Sequence, residues 1–144
     1  MSSYLFIFIN SFKSSILLSL YHESAWFAAL QFGGYNMPLA TFCAITGSSS
    51  GIALNFALGR YLGSKRDDWY SMDEAIYLRL KKYIGYSVPL LLLPFPDLPL
   101  AGQFFALYTV MLGLLGVRVR TFIVLALAGR VIYYGYYLLG ITLF

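Results

Sequence analysis

The chain has 144 residues, 60% of them apolar and only 11% charged, with a formal net charge of +4, against roughly 45–50% apolar and about 25% charged in soluble domains. Together with a mean hydropathy of +0.72, this argues against a soluble globular domain. At about 20 residues per crossing, the length allows four or five membrane spans and no separate catalytic or nucleic-acid-binding domain.

Residues 4–22 read as an N-terminal apolar helix. Asn10, Ser11, Lys13, Ser14 and Ser15 lie in its centre, which fits either a weak span or an interfacial helix. No basic stretch precedes it and Tyr21-His22-Glu23 is a poor small-residue cleavage site, so it is read as mature protein rather than a signal peptide.

Residues 23–59 form a first broken segment. From residue 24 to 59 there is no charge, but Gly33-Gly34, Pro38 and the run Gly47-Ser48-Ser49-Ser50-Gly51 interrupt it. We expect a dip into the bilayer with turn residues between Gly33 and Pro38, followed by a helix. Gly47, Gly51, Asn55 and Gly59 recur every fourth residue, and small residues on one helix face let another helix approach closely. Asn55 differs, because a buried amide needs partners; it serves either a helix interface or a substrate. Arg60 closes the stripe, placed either to snorkel or to bind phosphate.

Residues 60–82 hold Arg60, Lys65, Arg66, Asp67, Asp68, Asp73, Glu74, Arg79, Lys81 and Lys82, most of the charge in the chain. The basic excess predicts a cytoplasmic loop by the positive-inside rule. Ser71, followed by Asp73 and Glu74, predicts the start of a short amphipathic helix near the headgroups.

Residues 83–117 carry one charge, Asp97, inside Pro94-Phe95-Pro96-Asp97-Leu98-Pro99. Those prolines exclude one regular helix, since each removes a backbone donor and crowds the preceding turn. A segment that dips in and returns keeps Arg118 and Arg120 on the side of the charged loop, as positive-inside favours. Irregular backbone at membrane depth must be covered by protein or a water-filled cavity. Two such hairpins meeting near the midplane is how transporters build a central site.

Residues 121–144 form a final span with Arg130 about midway and Tyr133, Tyr134, Tyr136 and Tyr137 beyond it. A guanidinium near the centre of a span costs about 2.5–3.5 kcal/mol on insertion scales and usually faces a partner or a cavity. Glu23 and Asp97 are the only acids outside the charged loop. Either one paired with Arg130 would make a site for an anionic headgroup or a proton relay. The plainer readings are a membrane-edge marker for Glu23 and an exposed loop tip for Asp97.

Other chemistries find little footing. The lone Cys43 allows no disulfide or paired-cysteine zinc site and reads as a small apolar filler. The single His22 makes no histidine metal site, no catalytic triad is visible, and Gly63-Ser64-Lys65 is not a phosphate loop. No enzyme activity, cofactor or metal is expected. The fold class is an all-α integral membrane protein of one domain, with two re-entrant helical hairpins facing each other plus transmembrane helices.

The pattern Gly47-x3-Gly51-x3-Asn55-x3-Gly59-Arg60, the stretch Leu80-Lys81-Lys82-Tyr83, a proline-broken apolar segment and then Ala128-Gly129-Arg130-x2-Tyr133 resemble the DedA superfamily, also called SNARE-associated or VTT-domain proteins, in its short YqaA-like branch. The resemblance covers roughly residues 23–137. It implies a multi-pass protein of the bacterial inner membrane that flips or scrambles a lipid or lipid phosphate, with protons as a candidate coupling ion. The implied partners are membrane lipids with an anionic or polyprenyl phosphate headgroup; a second copy of the chain is a candidate partner and nucleic acid is not. Glu23 resembles the family's acid on the first hairpin and Arg130 its late basic residue, with Gly129 beside it as a helix-packing position. Asp97 stands for the acid of the second hairpin, with Pro96 where the family has glycine. Larger members carry an acid directly after the glycine matching Gly51, where this chain has Ile52. The alternatives are a non-transporting assembly protein whose glycine stripe packs on a partner, or a small-molecule or ion exporter.

Overall fold

The structure is a computed structural model that describes residues 2–16, 24–65, 74–92 and 99–142, and among these every regular element is helical. In chain order they are α1 (Ser2–Ser15), α2 (Ser24–Phe32), α3 (Met37–Ser64), α4 (Glu74–Ser87) running into a 3-10 turn (Val88–Leu92), α5 (Pro99–Leu114) and α6 (Val119–Thr142). At 1.5 Å per residue the 28 residues of α3 reach about 42 Å and the 24 of α6 about 36 Å. Both exceed the roughly 30 Å of a bilayer's hydrocarbon. They are the two described helices long and apolar enough to cross a membrane.

Local sequence explains where α3 begins. Gly33 and Gly34 adopt φ of 68° and 79°, a left-handed geometry that side chains with a Cβ resist. Asn36 then caps the helix, its side-chain oxygen accepting from the Leu39 amide at 3.3 Å, with Pro38 in the first turn. Two expectations change here. The turn placed between Gly33 and Pro38 occupies residues 33–36, and all four are exposed, so it is a surface connection and not a buried apex. The Gly47–Ser48–Ser49–Ser50–Gly51 run does not interrupt anything, because α3 passes through it unbroken. Tertiary contact overrides the weak helix propensity of glycine and serine, and the Ser50 hydroxyl donates back to the Thr46 carbonyl at 2.8 Å.

The second broken segment also differs from its expected outline. The amphipathic helix continues past residue 82 to Ser87, and the first break comes at Pro89 rather than among residues 94–99. Pro89 has no N–H to bond the Gly85 carbonyl and its ring crowds that turn, so the α-helix ends at Ser87 and the chain tightens into a 3-10 turn. Pro99 stands at the first position of α5, where its missing N–H is no loss. At the other end Gly116, with φ of 72°, stops α5. The Val117 amide donates to the Leu112 carbonyl at 3.1 Å and the Gly116 amide to Gly113 at 3.0 Å, the paired bonds of a Schellman cap. Residues 94–98, Ser71 and Asp73 lie outside the described residues.

Contacts along α3 set the direction of every neighbour. The Tyr4 hydroxyl accepts from the Asn36 amide at 3.0 Å, whereas Ser15 meets Ser48 and Asn55 farther along, so α1 runs parallel to α3. α2 returns beside it, the Ala25 amide donating to Asn10 Oδ1 at 3.3 Å. α6 is antiparallel to α3, since Phe56 stacks on Phe122 at 4.0 Å and the Tyr134 hydroxyl donates to the Ala44 carbonyl at 3.5 Å. Gly59 lies against Val110 and Gly63 against Leu114, so α5 runs parallel to α3 and ends beside its C-terminus. Each long helix is thus preceded by a shorter pair, and the two halves run in opposite directions. One core joins Ile7, Trp26, Ala29, Ala40, Ala44, Tyr133 and Tyr134, and a second joins Ile52, Phe56, Val88, Leu112, Phe122 and Ala126.

The outer surface is strongly apolar. Leu54 and Leu58 on α3, Phe104 and Leu107 on α5, and Val124, Leu127 and Val131 on α6 are exposed, a belt larger than soluble monomers ordinarily present.

The glycines give a direct test of the packing. A Cβ on Gly59 would fall on the Val110 carbonyl, whereas one on Gly85 in α4 would meet nothing within 4 Å. Gly59→Ala should destabilise the detergent-solubilised protein by about 1–3 kcal/mol, the usual cost of overpacking. Gly85→Ala should be neutral or stabilising by up to about 1 kcal/mol. Thermal melting followed by size-exclusion chromatography reads both, and equal melting of Gly59→Ala and the parent would contradict the close crossing.

Candidate functional site

The α1–α3 contact contains a polar seam inside an otherwise apolar interface. Gly47 faces the Phe8 carbonyl, and a Cβ on Gly51 would come within 2.7 Å of the Phe12 carbonyl and 2.9 Å of Ser15 Cβ. This nearness lets short side chains bond across. Ser15 and Ser48 hydroxyls are 3.0 Å apart, and Asn55 Nδ2 donates to the Ser15 carbonyl at 2.8 Å. Ser48 and Asn55 are buried, as is Ser11, whose hydroxyl has no hydrogen-bond partner among the described residues. Nearby, Trp26 Nε1 donates to Thr41 Oγ1 at 3.3 Å and ties α2 to the same helix.

Asn55 therefore acts on backbone. The end of α1 leaves carbonyls without intrahelical donors, and the Asn55 amide supplies one to Ser15. Ser11, Ser15, Thr41 and Ser48 were not assigned to a site from the sequence. The signal was present: Ser11 and Ser15 are four apart, in register with Ile7 on one helix face.

Arg130 sits about midway along α6, half-buried, with its guanidinium carbon 5.4 Å from the Phe105 ring centroid and 5.8 Å from that of Tyr133. Phe105 comes from α5. Tyr133 belongs to an aromatic cluster reaching α2, with Tyr133 5.1 Å from Tyr134 and Tyr137, and Trp26 4.9 Å from Tyr134. The arginine thus lies where the two halves of the chain meet. Cation–π contact with each ring attracts the charge without neutralising it. Arg130 has no ion-pair partner among the described residues.

The sequence-selected residues separate into three places. Asn55, Gly47 and Gly51 lie on the α1 contact, while Gly59 and Arg60 lie at the α5 crossing, where a Cβ on Gly113 would meet the Phe56 carbonyl and come within 2.9 Å of the Arg60 nitrogen. The Arg60 side chain is exposed, and Gly129 is buried on α6 beside Arg130. Because Phe56 pairs with Phe122 and Ala44 with Tyr134, Arg130 is level with the stretch of α3 between Ala44 and Phe56. Arg60 lies farther toward the end of that helix, so the two arginines are not brought together. Glu23 and Asp97 lie outside the described residues. Three of the four late tyrosines pack inward against one another or α2, and Tyr136 faces outward.

An apolar groove of about 500 Å³ opens between α1 and α2, lined by Phe6, Ile7, Ala29, Phe32 and Tyr35 among others. Among the described residues no group of three His, Cys, Asp or Glu side chains is placed to hold a metal. No family model, no curated protein and no solved structure matches the chain.

The polar seam predicts a specific loss. Asn55→Leu removes the donor to the Ser15 carbonyl and adds volume between close backbones, so stability should fall by about 1–3 kcal/mol. Hydrogen exchange of full-length protein in detergent should quicken at the C-terminal turn of α1 more than in α6. Uniform exchange with no local change at α1 would contradict the anchoring role.

Proposed function

We propose that this chain is an integral membrane protein that moves a lipid or lipid phosphate across the bilayer, in the manner implied by its DedA-like residues. The observation that carries the reading is Arg130. It is a half-buried cation midway along an apolar helix, held between Phe105 and Tyr133 rather than by a carboxylate among the described residues. A guanidinium presents a planar fork of five donors suited to phosphate, and ring contacts position it without consuming those donors.

The arrangement of helices supports the reading further. α1 reaches the level of Asn55 and α2 runs back, while the 3-10 turn reaches the level of Phe56 and α5 returns to the end of α3. We read the α1–α2 pair, and the 3-10 turn with α5, as two re-entrant hairpins entering from opposite faces. In this reading the first hairpin is the α1–α2 pair, and the exposed turn before α3 is the connection that follows it. In this mechanism the phosphate of a passing headgroup exchanges onto Arg130, and Glu23 and Asp97 are the acids assigned to balance the guanidinium, with protons as the coupling ion. The side bearing Arg60, Lys65, Arg118 and Arg120 is read as cytoplasmic, in a bacterial inner membrane.

An assembly role resting on the glycine stripe has less support. Gly47, Gly51, Gly59 and Gly63 are all occupied by α1 or α5 of the same chain, leaving those positions no free surface for a partner.

Reconstituted vesicles carrying a fluorescent phospholipid or polyprenyl phosphate, with outer-leaflet signal erased by dithionite, measure translocation directly. Arg130→Ala should lower the rate by at least about tenfold, the loss of one strong charge-assisted contact, while the variant still enters the vesicles. Arg130→Lys should retain part of the rate, because charge persists without the planar fork. Parent-like translocation by Arg130→Ala would end this reading.

A further inference from the structure

We propose that α4 is a membrane-surface helix that lies in the anionic lipid leaflet at the end of the bundle where α3 and α5 terminate, with Arg79, Lys81 and Lys82 directed to lipid phosphates. The proposal rests on the reading of α3 and α6 as membrane spans and is independent of lipid transport.

The first observation is an apolar face that the described residues leave uncovered. Ile76, Leu80 and Tyr83 fall at i, i+4 and i+7, one side of a helix, yet are 51%, 37% and 72% exposed. Among the described residues its main contacts are at its C-terminal end, with the 3-10 turn and through Ser87 with Tyr108 of α5. At 100° per residue Arg79 borders that face on one side, with Lys82 beyond it and Lys81 round the other. Long basic side chains in such positions bury their stems and lift the charge toward headgroups. The only acid on α4 is Glu74, its first residue.

The second observation fixes depth. Val88, directly after α4, is buried with Phe56 and Phe122, and the Ser87 carbonyl accepts from the Tyr108 hydroxyl at 2.6 Å. Phe56 precedes the end of α3 by about 12 Å and Phe122 follows the start of α6 by about 5 Å, at 1.5 Å per residue. The last turn of α4 is therefore pinned roughly 5–12 Å below that end of the bundle. Interfacial helices lie about 5–10 Å into the headgroup and acyl boundary, so the attachment holds α4 at the depth its amphipathic face requires.

Charge selects the occupant. Arg60, Lys65, Arg118 and Arg120 are exposed at the same end, which makes it basic and complementary to anionic headgroups. A second copy docked through α4 would repeat one patch against itself, setting Arg79, Lys81 and Lys82 against their own equivalents. A lipid leaflet satisfies both the face and the charge.

The test uses the full chain with Cys43→Ala and a single label at Leu80→Cys or Tyr83→Cys, carrying a polarity-sensitive fluorophore. The protein is reconstituted into phosphatidylcholine vesicles with or without phosphatidylglycerol. We expect quenching by brominated lipid tails, protection from aqueous iodide, and deeper protection with phosphatidylglycerol. Lys81→Glu with Lys82→Glu should reduce the phosphatidylglycerol preference by roughly tenfold, while the unreversed proteins compared across the two lipids provide a reading that needs no charge variant. Full iodide access in both lipids would overturn the proposal, as would protection that appears only when the label crosslinks to a second copy or another protein. The labelling readout is independent of the dithionite translocation assay, so an exposed α4 beside an active transporter, or a buried α4 beside an inactive one, separates this proposal from the transport reading.

Discussion

The fold depends on the close approach of the α3 backbone to two other backbones. Gly47 and Gly51 admit α1, and Gly59 and Gly63 admit α5, which answers with Gly113. In hydrocarbon the apolar effect does not drive helices together, and small residues that permit intimate van der Waals contact take its place. One helix thereby becomes the shared wall of both halves of the chain. Its upper glycines hold the short pair that precedes it, and its lower glycines hold the helix that belongs to the second half.

That close approach also decides what chemistry the interior holds. Between the two glycine pairs sits Asn55, and only because α1 comes so near can its short amide reach the Ser15 carbonyl at 2.8 Å. A buried polar group left unpaired costs about 1–3 kcal/mol, so a wider interface would turn Asn55, Ser15 and Ser48 into liabilities. The antiparallel pairing of α3 with α6, made by Phe56 on Phe122 and Tyr134 on Ala44, then brings Arg130 to the level of this seam. Packing by small residues and placement of polar groups are one design.

The all-helical architecture, the fourfold glycine spacing and the isolated Arg130 were legible in the sequence because each is a local pattern: composition, a period of four, a charge inside an apolar run. Which glycine cluster breaks the chain was not. Gly33-Gly34 and the Gly47–Gly51 run offer the same local signal, a cluster of helix breakers, yet the first is an exposed turn with positive φ and the second lies inside an unbroken helix. What separates them is the presence of α1 against the second, a contact between residues far apart in sequence. Pro89 ended α4 before the denser prolines that drew attention, since one proline suffices where Val88 has a core to enter. The aromatic seat of Arg130 was hidden for the same reason: Tyr133 is a neighbour in register, but Phe105 arrives from another helix.

The energetics of that seat bear on function. Placing a guanidinium midway along a span costs about 2.5–3.5 kcal/mol. Contacts with two ring faces at 5.4 and 5.8 Å, in a half-buried setting, return about 1–2 kcal/mol together. The balance is a deficit of about 0.5–2.5 kcal/mol, which water or an anionic group reaching the guanidinium would meet. No carboxylate among the described residues closes that deficit; in the proposed mechanism Glu23 or Asp97 and a phosphate would do so in turn. Aromatic faces fix the position of the charge without consuming its donors, which is what the proposed passage of a phosphate headgroup requires.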